Sequence, residues 1–323
     1  MAKLTLPPEE WVRSGHSACP GCAPALALRF LLKGLGPRTV VSVPACCWTV
    51  IATPYPTTAL GVAMLDSPIE STGASISGLR AAVDALGMSD VTIVGVAGDG
   101  GTADIGLQSL SGMLERRTNA IYLMYDNEAY MNTGVQRSGA TPWHAWTTTT
   151  PVGPAQRGKT EPKKDIMGIV LAHRPVYAAT VNPSFPEDFL AKVETARELT
   201  GPRFFHAITP CPPGWRYDSA DTIEVGRLAT ETGLFPLYEV EQGRLRITRR
   251  YGRLKPVREY LEMQGRFAHL TAEEVDTIQA EVTARWDELN RAEAEGARKS
   301  TPARSPIAPA ASVSPTTVAA PAP

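Results

Sequence analysis

Two groups of residues in this chain have types and spacings that could do chemistry. The first group is four cysteines, Cys19, Cys22, Cys47 and Cys211. Four thiolates without histidines fit either zinc or a [4Fe–4S] cluster, and a Cys-x-x-Cys pair also occurs in thioredoxin-like redox sites. The same cysteines could instead be buried apolar residues, so their number alone does not show whether they bind a metal. Cys46 lies beside Cys47, and we expect only one of these two adjacent side chains to be a ligand.

The second group is a glycine turn that carries a carboxylate, Gly98-Asp99-Gly100-Gly101, followed later in the chain by Asp126-Asn127. Glycines let the backbone approach phosphate oxygens and adopt positive φ, and an aspartate is a ligand that Mg²⁺ prefers. A lone Gly-Asp-Gly is also found in tight strand-to-helix turns, with Asp as the helix cap. The second motif, one βα unit later, favours a metal-bridged diphosphate of the kind that thiamine-diphosphate enzymes hold.

The elements that must position these residues follow from the hydrophobic pattern. Short runs that are apolar on both faces predict the strands Thr39–Val43, Val91–Ala97, Ala120–Tyr125, Val176–Val181 and Phe204–Ile208. Amphipathic runs between them predict the helices Pro24–Leu35, Ser75–Leu86, Ala103–Arg116 and Pro186–Leu199. This alternation predicts an α/β fold with a mostly parallel sheet flanked by helices. Ligands of such sheets bind beyond the carboxyl ends of the strands, where both motifs fall.

Length and composition limit the classes of protein. A chain of 323 residues with 43% hydrophobic residues can bury a substantial core. A net charge of -1 argues against a nucleic acid or a membrane surface as the main partner. The chain contains no apolar run of about 18 residues and no secretory signal, so we expect a cytoplasmic protein, in which structural disulfides are rare.

The chain divides into a cofactor-binding domain over residues 1–298 and a tail over residues 299–323. A capping-box pattern at Thr271 opens a polar helix, which forms a helical extension at the end of the domain. The tail consists mainly of Ala, Pro, Ser, Thr and Val, and this composition predicts disorder.

Long motifs in the chain resemble one family, the thiamine-diphosphate-binding β subunits of the 2-oxoacid:ferredoxin oxidoreductases. The resemblance covers about residues 9–295, and the segments that carry it are 98–106, 125–142, 146–151, 159–165 and 211–215. It implies a chain that binds thiamine diphosphate, Mg²⁺ and one [4Fe–4S] cluster. The implied cluster ligands are the four cysteines Cys19, Cys22, Cys47 and Cys211.

The resemblance also assigns the other site residues. The implied magnesium ligands are oxygens at two strand ends, from Asp99, Asn127 and the carbonyl of Ala129. The remaining contacts to thiamine diphosphate are implied for Cys47, Gly98, Gly100, Gly101, Tyr130 and Asn132. Asn132 is the implied catalytic residue, facing the reacting carbon.

The implied activity is the oxidative decarboxylation of a 2-oxoacid to acyl-coenzyme A and CO₂, with electrons passing through the cluster to ferredoxin or another acceptor. Pyruvate is the expected substrate. An aromatic 2-oxoacid such as phenylglyoxylate is the alternative, because the segment Ala45–Thr49 departs from the family's Thr-Gly-Cys-Leu-Glu. Rival functions are a non-redox thiamine-diphosphate lyase and a zinc-containing assembly subunit.

The implied partners are three other subunits. An α subunit would supply the glutamate that activates the aminopyrimidine and the site for the substrate carboxylate, and γ and ferredoxin-like δ subunits would complete the complex. Within the chain, the Lys163-Lys164-Asp165 run is predicted to be a solvated or subunit-facing surface. The basic stretch from Arg244 to Arg258 is predicted to be an edge element.

Overall fold

The computed structural model of the chain describes residues 6–52 and 57–298, so the predicted tail lies outside the described residues. In the described part, eight strands form one sheet in the order β2-β1-β3-β4-β6-β5-β7-β8. The strands are β1 (Thr39–Pro44), β2 (Ala63–Ser67), β3 (Thr92–Gly98), β4 (Ile121–Asp126), β5 (Tyr177–Val181), β6 (Arg203–Ile208), β7 (Tyr238–Glu241) and β8 (Arg244–Ile247). The first six strands in that order pair in parallel, and β7 and β8 add an antiparallel edge. The predicted mostly parallel α/β fold is confirmed.

Helices cover both faces of this sheet. They are α1 (Ala23–Leu35), α2 (Cys47–Ile51), α3 (Thr72–Ala85), α4 (Leu107–Glu115), α5 (Ile166–Ala172), α6 (Pro186–Glu198), α7 (Pro212–Trp215), α8 (Thr222–Glu231), α9 (Val257–Glu262) and α10 (Ala272–Arg298). Along β4, Tyr122 and Met124 pack into one hydrophobic cluster, while Leu123 and Tyr125 pack into the other. Because alternate side chains of a strand point to opposite faces, a strand covered on both faces must be apolar throughout. None of the helices in the described residues combines the length and apolar character that crossing a bilayer requires.

Several elements differ from the sequence-based expectation. The predicted helix from Ala103 begins instead at Leu107 as α4, and the chain before it forms a π-helical turn over Gly100–Asp104, after which the Ile105 N–H donates to the carbonyl of Gly100 (3.3 Å). Strands β2, β7 and β8 were not predicted as strands, because each has only four or five residues and β2 is largely exposed. The basic stretch does contain an edge element, since β8 is the last strand of the sheet.

Close packing of α3 against α4 fixes the helices that flank β3. A Cβ atom on Gly73 would collide with the backbone of Ser109, whereas a Cβ atom on Gly78, in the same helix, would meet nothing within 4 Å. Glycine at 73 is therefore required by the approach of the two helices, and glycine at 78 is not.

We predict opposite effects for alanine at these two positions. Gly73→Ala should destabilise the protein by about 1–3 kcal/mol, because the packed helices must separate. Gly78→Ala should stabilise it by about 0.5–1 kcal/mol through helix propensity. Urea unfolding of both variants measures the difference, and equal stability of the two would contradict the proposed packing.

Candidate active site

A cleft with a volume of about 300 Å³ opens at the carboxyl ends of β1, β3 and β4. Every residue that the sequence analysis assigned to thiamine-diphosphate binding lines this cleft: Cys47, Gly98, Asp99, Gly100, Gly101, Asn127, Ala129, Tyr130 and Asn132. The cleft is also lined by Val50, whose side chain is half-exposed. The strand ends therefore gather the predicted residues around one space.

Three polar groups face one another at the floor of the cleft. One terminal atom of the Asn127 amide lies 2.9 Å from Oδ1 of Asp99 and 2.9 Å from the carbonyl oxygen of Ala129: a nitrogen there donates a hydrogen bond to both, and an oxygen there completes a set of three oxygen ligands. Mg²⁺ binds oxygens at 2.0–2.1 Å in octahedral geometry, in which neighbouring ligands lie about 2.9 Å apart. The separation of these oxygens therefore fits a small divalent cation.

The carboxylate in this group is enclosed by protein. Asp99 is buried, and the hydroxyl of Ser138 donates a hydrogen bond to its Oδ2. Burial, and then the charge of nearby Asp126, raise the pKa of Asp99 well above its usual range. A bound cation would offset both effects, because it supplies the positive charge that the site lacks.

The glycine turn is shaped by protein packing as well as by room for a ligand. The ring of Tyr130 occupies the space that a Cβ atom on Gly100 would need, and the Tyr130 hydroxyl donates to the carbonyl of Gly100 (3.2 Å). None of Gly98, Gly100 and Gly101 has positive φ. The expectation that these glycines take positive φ is therefore wrong, and at Gly100 the close approach of the Tyr130 ring is the reason for glycine.

Asn132 lies in the loop that follows Tyr130 and is exposed to the cleft. Among the described residues its side chain has no hydrogen-bond partner, so its amide is available to a ligand. This loop is held by Tyr130, whose N–H donates to the carbonyl of Gln136 (2.9 Å). The structure therefore places Asn132 at the cleft with a free amide.

The four cysteines come from three parts of the chain. Cys19 and Cys22 lie in the loop before α1, Cys47 begins α2 after β1, and Cys211 follows β6. Burial, together with the charges of Cys211 and Cys19, raises the pKa of the Cys22 thiol to about 12. Burial and the charges of Cys46, Cys211 and Cys22 raise the pKa of the Cys47 thiol to about 12 as well. The thiols are thus close enough to interact electrostatically.

The thiols do not surround a single point. Among the residues that the structure describes, no group of three or more His, Cys, Asp or Glu side chains is arranged to hold one metal ion. Cys46 differs from Cys47 in its surroundings: burial raises the pKa of its thiol, whereas the pKa of Cys47 is raised by burial and also by the charges of Cys211 and Cys22. Cys47 is therefore the member of the pair that interacts with the other cysteines.

A buried network of charges supports the turn that carries Asn127. Nζ of Lys163 lies 2.6 Å from Oδ2 of Asp126 and 2.6 Å from Oε1 of Glu128, and Nε2 of His206 lies 2.7 Å from Oδ2 of Asp126. Burial opposes ionisation of Asp126, but Lys163 and His206 outweigh it and lower its pKa to about 2. Lys163 is partly buried and pairs with two carboxylates of this chain, so it is not simply solvated, while a subunit-facing role of the Lys163-Lys164-Asp165 run stays a prediction.

Glu128 connects this turn to the C-terminal part of the domain. It has a φ of 67°, a backbone conformation that costs non-glycine residues energy. Its Oε2 lies 2.5 Å from the guanidinium of Arg266, which is buried and stacks on the Trp215 ring at 3.9 Å. Nε1 of Trp215 donates to the carbonyl of Asn127 (2.7 Å). Sequence reasoning missed Arg266, because nothing near it in the chain indicates its distant partner.

The chain is similar in sequence to thiamine pyrophosphate enzymes and to subunits of 2-oxoacid oxidoreductases. Residues 56–207 match the family described as "Thiamine pyrophosphate enzyme, C-terminal TPP binding domain". The chain is 48% identical over 296 residues to ketoisovalerate oxidoreductase subunit VorB of Pyrococcus abyssi, covering 90% of this chain and 95% of that protein. It is 47% identical over 286 residues to pyruvate synthase subunit PorB of Methanocaldococcus jannaschii, covering 86% and 96%.

The chain therefore belongs to the β subunits of the 2-oxoacid:ferredoxin oxidoreductases, and it is one subunit of a multi-subunit oxidoreductase. A solved 2-oxoglutarate:ferredoxin oxidoreductase from Magnetococcus marinus is similar in fold, with a TM-score of 0.55, 20% identity and coverage of 69% of this chain and 80% of that one.

We predict that the Arg266–Glu128 pair is required for stability. Arg266→Gln should destabilise the protein by about 3–5 kcal/mol, because it leaves a buried carboxylate with one fewer partner. Arg38→Gln is the matched control, since it removes the guanidinium of the exposed Arg38–Asp90 pair (2.8 Å) and should change the unfolding midpoint little. Similar urea midpoints for the two variants would contradict the role assigned to Arg266.

Proposed function

We propose that this chain is the catalytic β subunit of a coenzyme A-acylating 2-oxoacid:acceptor oxidoreductase. It would convert a 2-oxoacid and coenzyme A to acyl-coenzyme A and CO₂, and it would pass the electrons through a [4Fe–4S] cluster to ferredoxin. The observation that carries the proposal is the single cleft in which Cys47 lies beside the oxygens of Asp99, Asn127 and Ala129. One of the proposed cluster ligands and the proposed metal ligands therefore line the same cleft.

In this proposal the residues of the cleft have separate tasks. Asp99, Asn127 and the Ala129 carbonyl would hold Mg²⁺, and the turn at Gly98, Gly100 and Gly101 would leave room for the diphosphate. Tyr130 would keep that turn in place, and the free amide of Asn132 would contact the substrate or the reacting end of the cofactor. Thiamine diphosphate supplies the carbon that stabilises negative charge during decarboxylation.

We propose that the four cysteines bind a cluster and not zinc. A zinc ion needs four ligands at about 2.0–2.3 Å from one centre, whereas a [4Fe–4S] cluster offers four separate iron atoms. The electrostatic interactions among the four thiols, together with the family resemblance that implies cluster ligands at these positions, support the cluster. The charge interactions include Cys19, which joins Cys22 and Cys211 in the same group.

Pyruvate is the substrate that we propose, because long motifs resemble pyruvate enzymes and a pyruvate synthase subunit is 47% identical to this chain. Ketoisovalerate is a second candidate, since a ketoisovalerate oxidoreductase subunit is 48% identical. The α subunit would supply the activating glutamate and the substrate carboxylate site, with γ and ferredoxin-like δ subunits as further partners.

The activity can be tested on the complex purified without oxygen. We expect reduction of a viologen dye that requires coenzyme A and is fastest with pyruvate among pyruvate, ketoisovalerate and phenylglyoxylate. A faster rate with another 2-oxoacid would contradict the substrate assignment. The absence of reduction with all three, in a complex that retains thiamine diphosphate, would contradict the proposed reaction and favour a non-redox lyase.

Neighbouring cysteines provide a matched test of the cluster ligands. We expect Cys47→Ser to lower the iron content of the complex and to remove the visible absorption of the cluster, because serine replaces an iron ligand. Cys46→Ser should retain both, since Cys47, and not Cys46, interacts with the charges of Cys211 and Cys22. Iron analysis and absorption spectra of oxygen-free samples measure the outcome. Stoichiometric zinc without iron, or equal iron in the two variants, would contradict the assignment.

A further inference from the structure

Asn127 lies where the two proposed centres meet. In one orientation of its amide, the side-chain oxygen faces Asp99 and Ala129, and the side-chain nitrogen donates towards Sγ of Cys47 at 4.0 Å, the outer limit of a hydrogen bond to sulfur. Its backbone carbonyl accepts a hydrogen bond from the indole N–H of Trp215. The backbone N–H of Trp215 in turn donates to the carbonyl of Cys211 (2.8 Å). Asn127 thus contacts the proposed metal ligands, the proposed cluster ligand Cys47, and α7, the helix that follows Cys211.

The amide of Asn127 has two orientations with different partners. With its oxygen towards Asp99 and Ala129, three acceptor oxygens face one another and repel unless a cation lies among them. After a half-turn of the amide, its nitrogen would donate to Oδ1 of Asp99 and to the carbonyl of Ala129, at 2.9 Å each. That second orientation turns the N–H group away from Cys47.

Burial makes the choice between these orientations depend on the cation. Asn127 is 2% exposed and Asp99 is 1% exposed, so bulk water cannot screen the facing oxygens. Without a cation, the hydrogen bonds to Asp99 and Ala129 stabilise the orientation with nitrogen in the floor of the cleft. With a cation, the oxygen is required as a ligand, and the N–H group must point to the sulfur.

We propose that a divalent cation at Asp99 sets the orientation of the Asn127 amide and thereby directs an N–H group onto the sulfur of Cys47. The inference rests on the proposed function, because it requires both a cation and a cluster. Hydrogen bonds to cluster sulfurs are among the factors that set reduction potential. A donor on the Cys47 sulfur stabilises the more negative reduced cluster, so the cluster accepts electrons more readily when the metal site is filled.

Reduction potential alone would not test this mechanism, because the charge of the cation also raises the potential of a nearby cluster. The distinguishing measurement is the magnetic coupling between the reduced cluster and the amide nitrogen itself. Pulsed electron–nuclear double resonance can detect this coupling in a complex whose asparagine side chains carry ¹⁵N. The complex is prepared without oxygen and reduced with dithionite.

We expect a ¹⁵N coupling in the complex loaded with Mg²⁺ and thiamine diphosphate. The coupling should be lost after removal of Mg²⁺ with EDTA, because the amide turns, and lost in Asn127→Asp, which keeps an oxygen for the cation but has no N–H group. Asn119→Asp is the matched control. Asn119 lies just before β4, at the opposite edge of the sheet, where its Oδ1 accepts from Arg203 (2.8 Å), so this variant should retain the coupling.

Each other outcome is decisive. A ¹⁵N coupling that persists in Asn127→Asp, or that EDTA leaves unchanged, would overturn the inference. A normal signal of the reduced cluster without any ¹⁵N coupling would also overturn it, while the proposed function would stand. No signal of a reduced cluster in the unsubstituted complex would overturn the proposed function, and the inference with it. If Asn127→Asp does not assemble, the comparison with and without EDTA still decides.

Discussion

The parallel pairing of four neighbouring strands is the constraint on which the candidate site depends. Strands β1, β3, β4 and β6 lie side by side with their carboxyl ends at one edge of the sheet. Cys47, Asp99, Asn127 and Cys211 follow these strands in that order. Residues that are far apart in the sequence therefore lie close together at the same edge of the sheet. The two apolar layers that bury the strands on both faces fix the spacing of the four loops.

Ion pairs hold the loop after β4, in which Glu128 has a left-handed backbone conformation. The turn after β4 needs a left-handed backbone at Glu128 to bring the Ala129 carbonyl towards Asp99, and such a conformation costs about 1–3 kcal/mol. Lys163 and Arg266 each bind the Glu128 carboxylate, and the backbone N–H of Glu128 donates to Oδ1 of Asp126 (3.0 Å). Charges that would be costly if unpaired are thus stabilised by one another, and they hold the turn that carries the proposed cation ligands Asn127 and Ala129.

Sequence patterns predicted the strands that carry the site because those strands are apolar on both faces and end in glycine or polar residues. They also predicted that Asp99, Asn127 and Cys47 share one edge, since parallel strands end together. They did not predict the ion pairs of Lys163 and Arg266 with Glu128, because the partners of these charges are distant in the chain. Local pattern also did not indicate that Tyr130 packs on Gly100, so the conformational reason expected for that glycine was wrong.

The central claim is that one edge of this sheet holds a four-iron cluster and a metal-bound diphosphate side by side. Crystals of the complex grown without oxygen, measured at the iron absorption edge, test it most directly. The account predicts an anomalous peak for a cluster between Cys19, Cys22, Cys47 and Cys211, with diphosphate density beside Asp99 in the neighbouring cleft. An anomalous peak that appears only at the zinc edge, or diphosphate density away from the β3 turn, would contradict it.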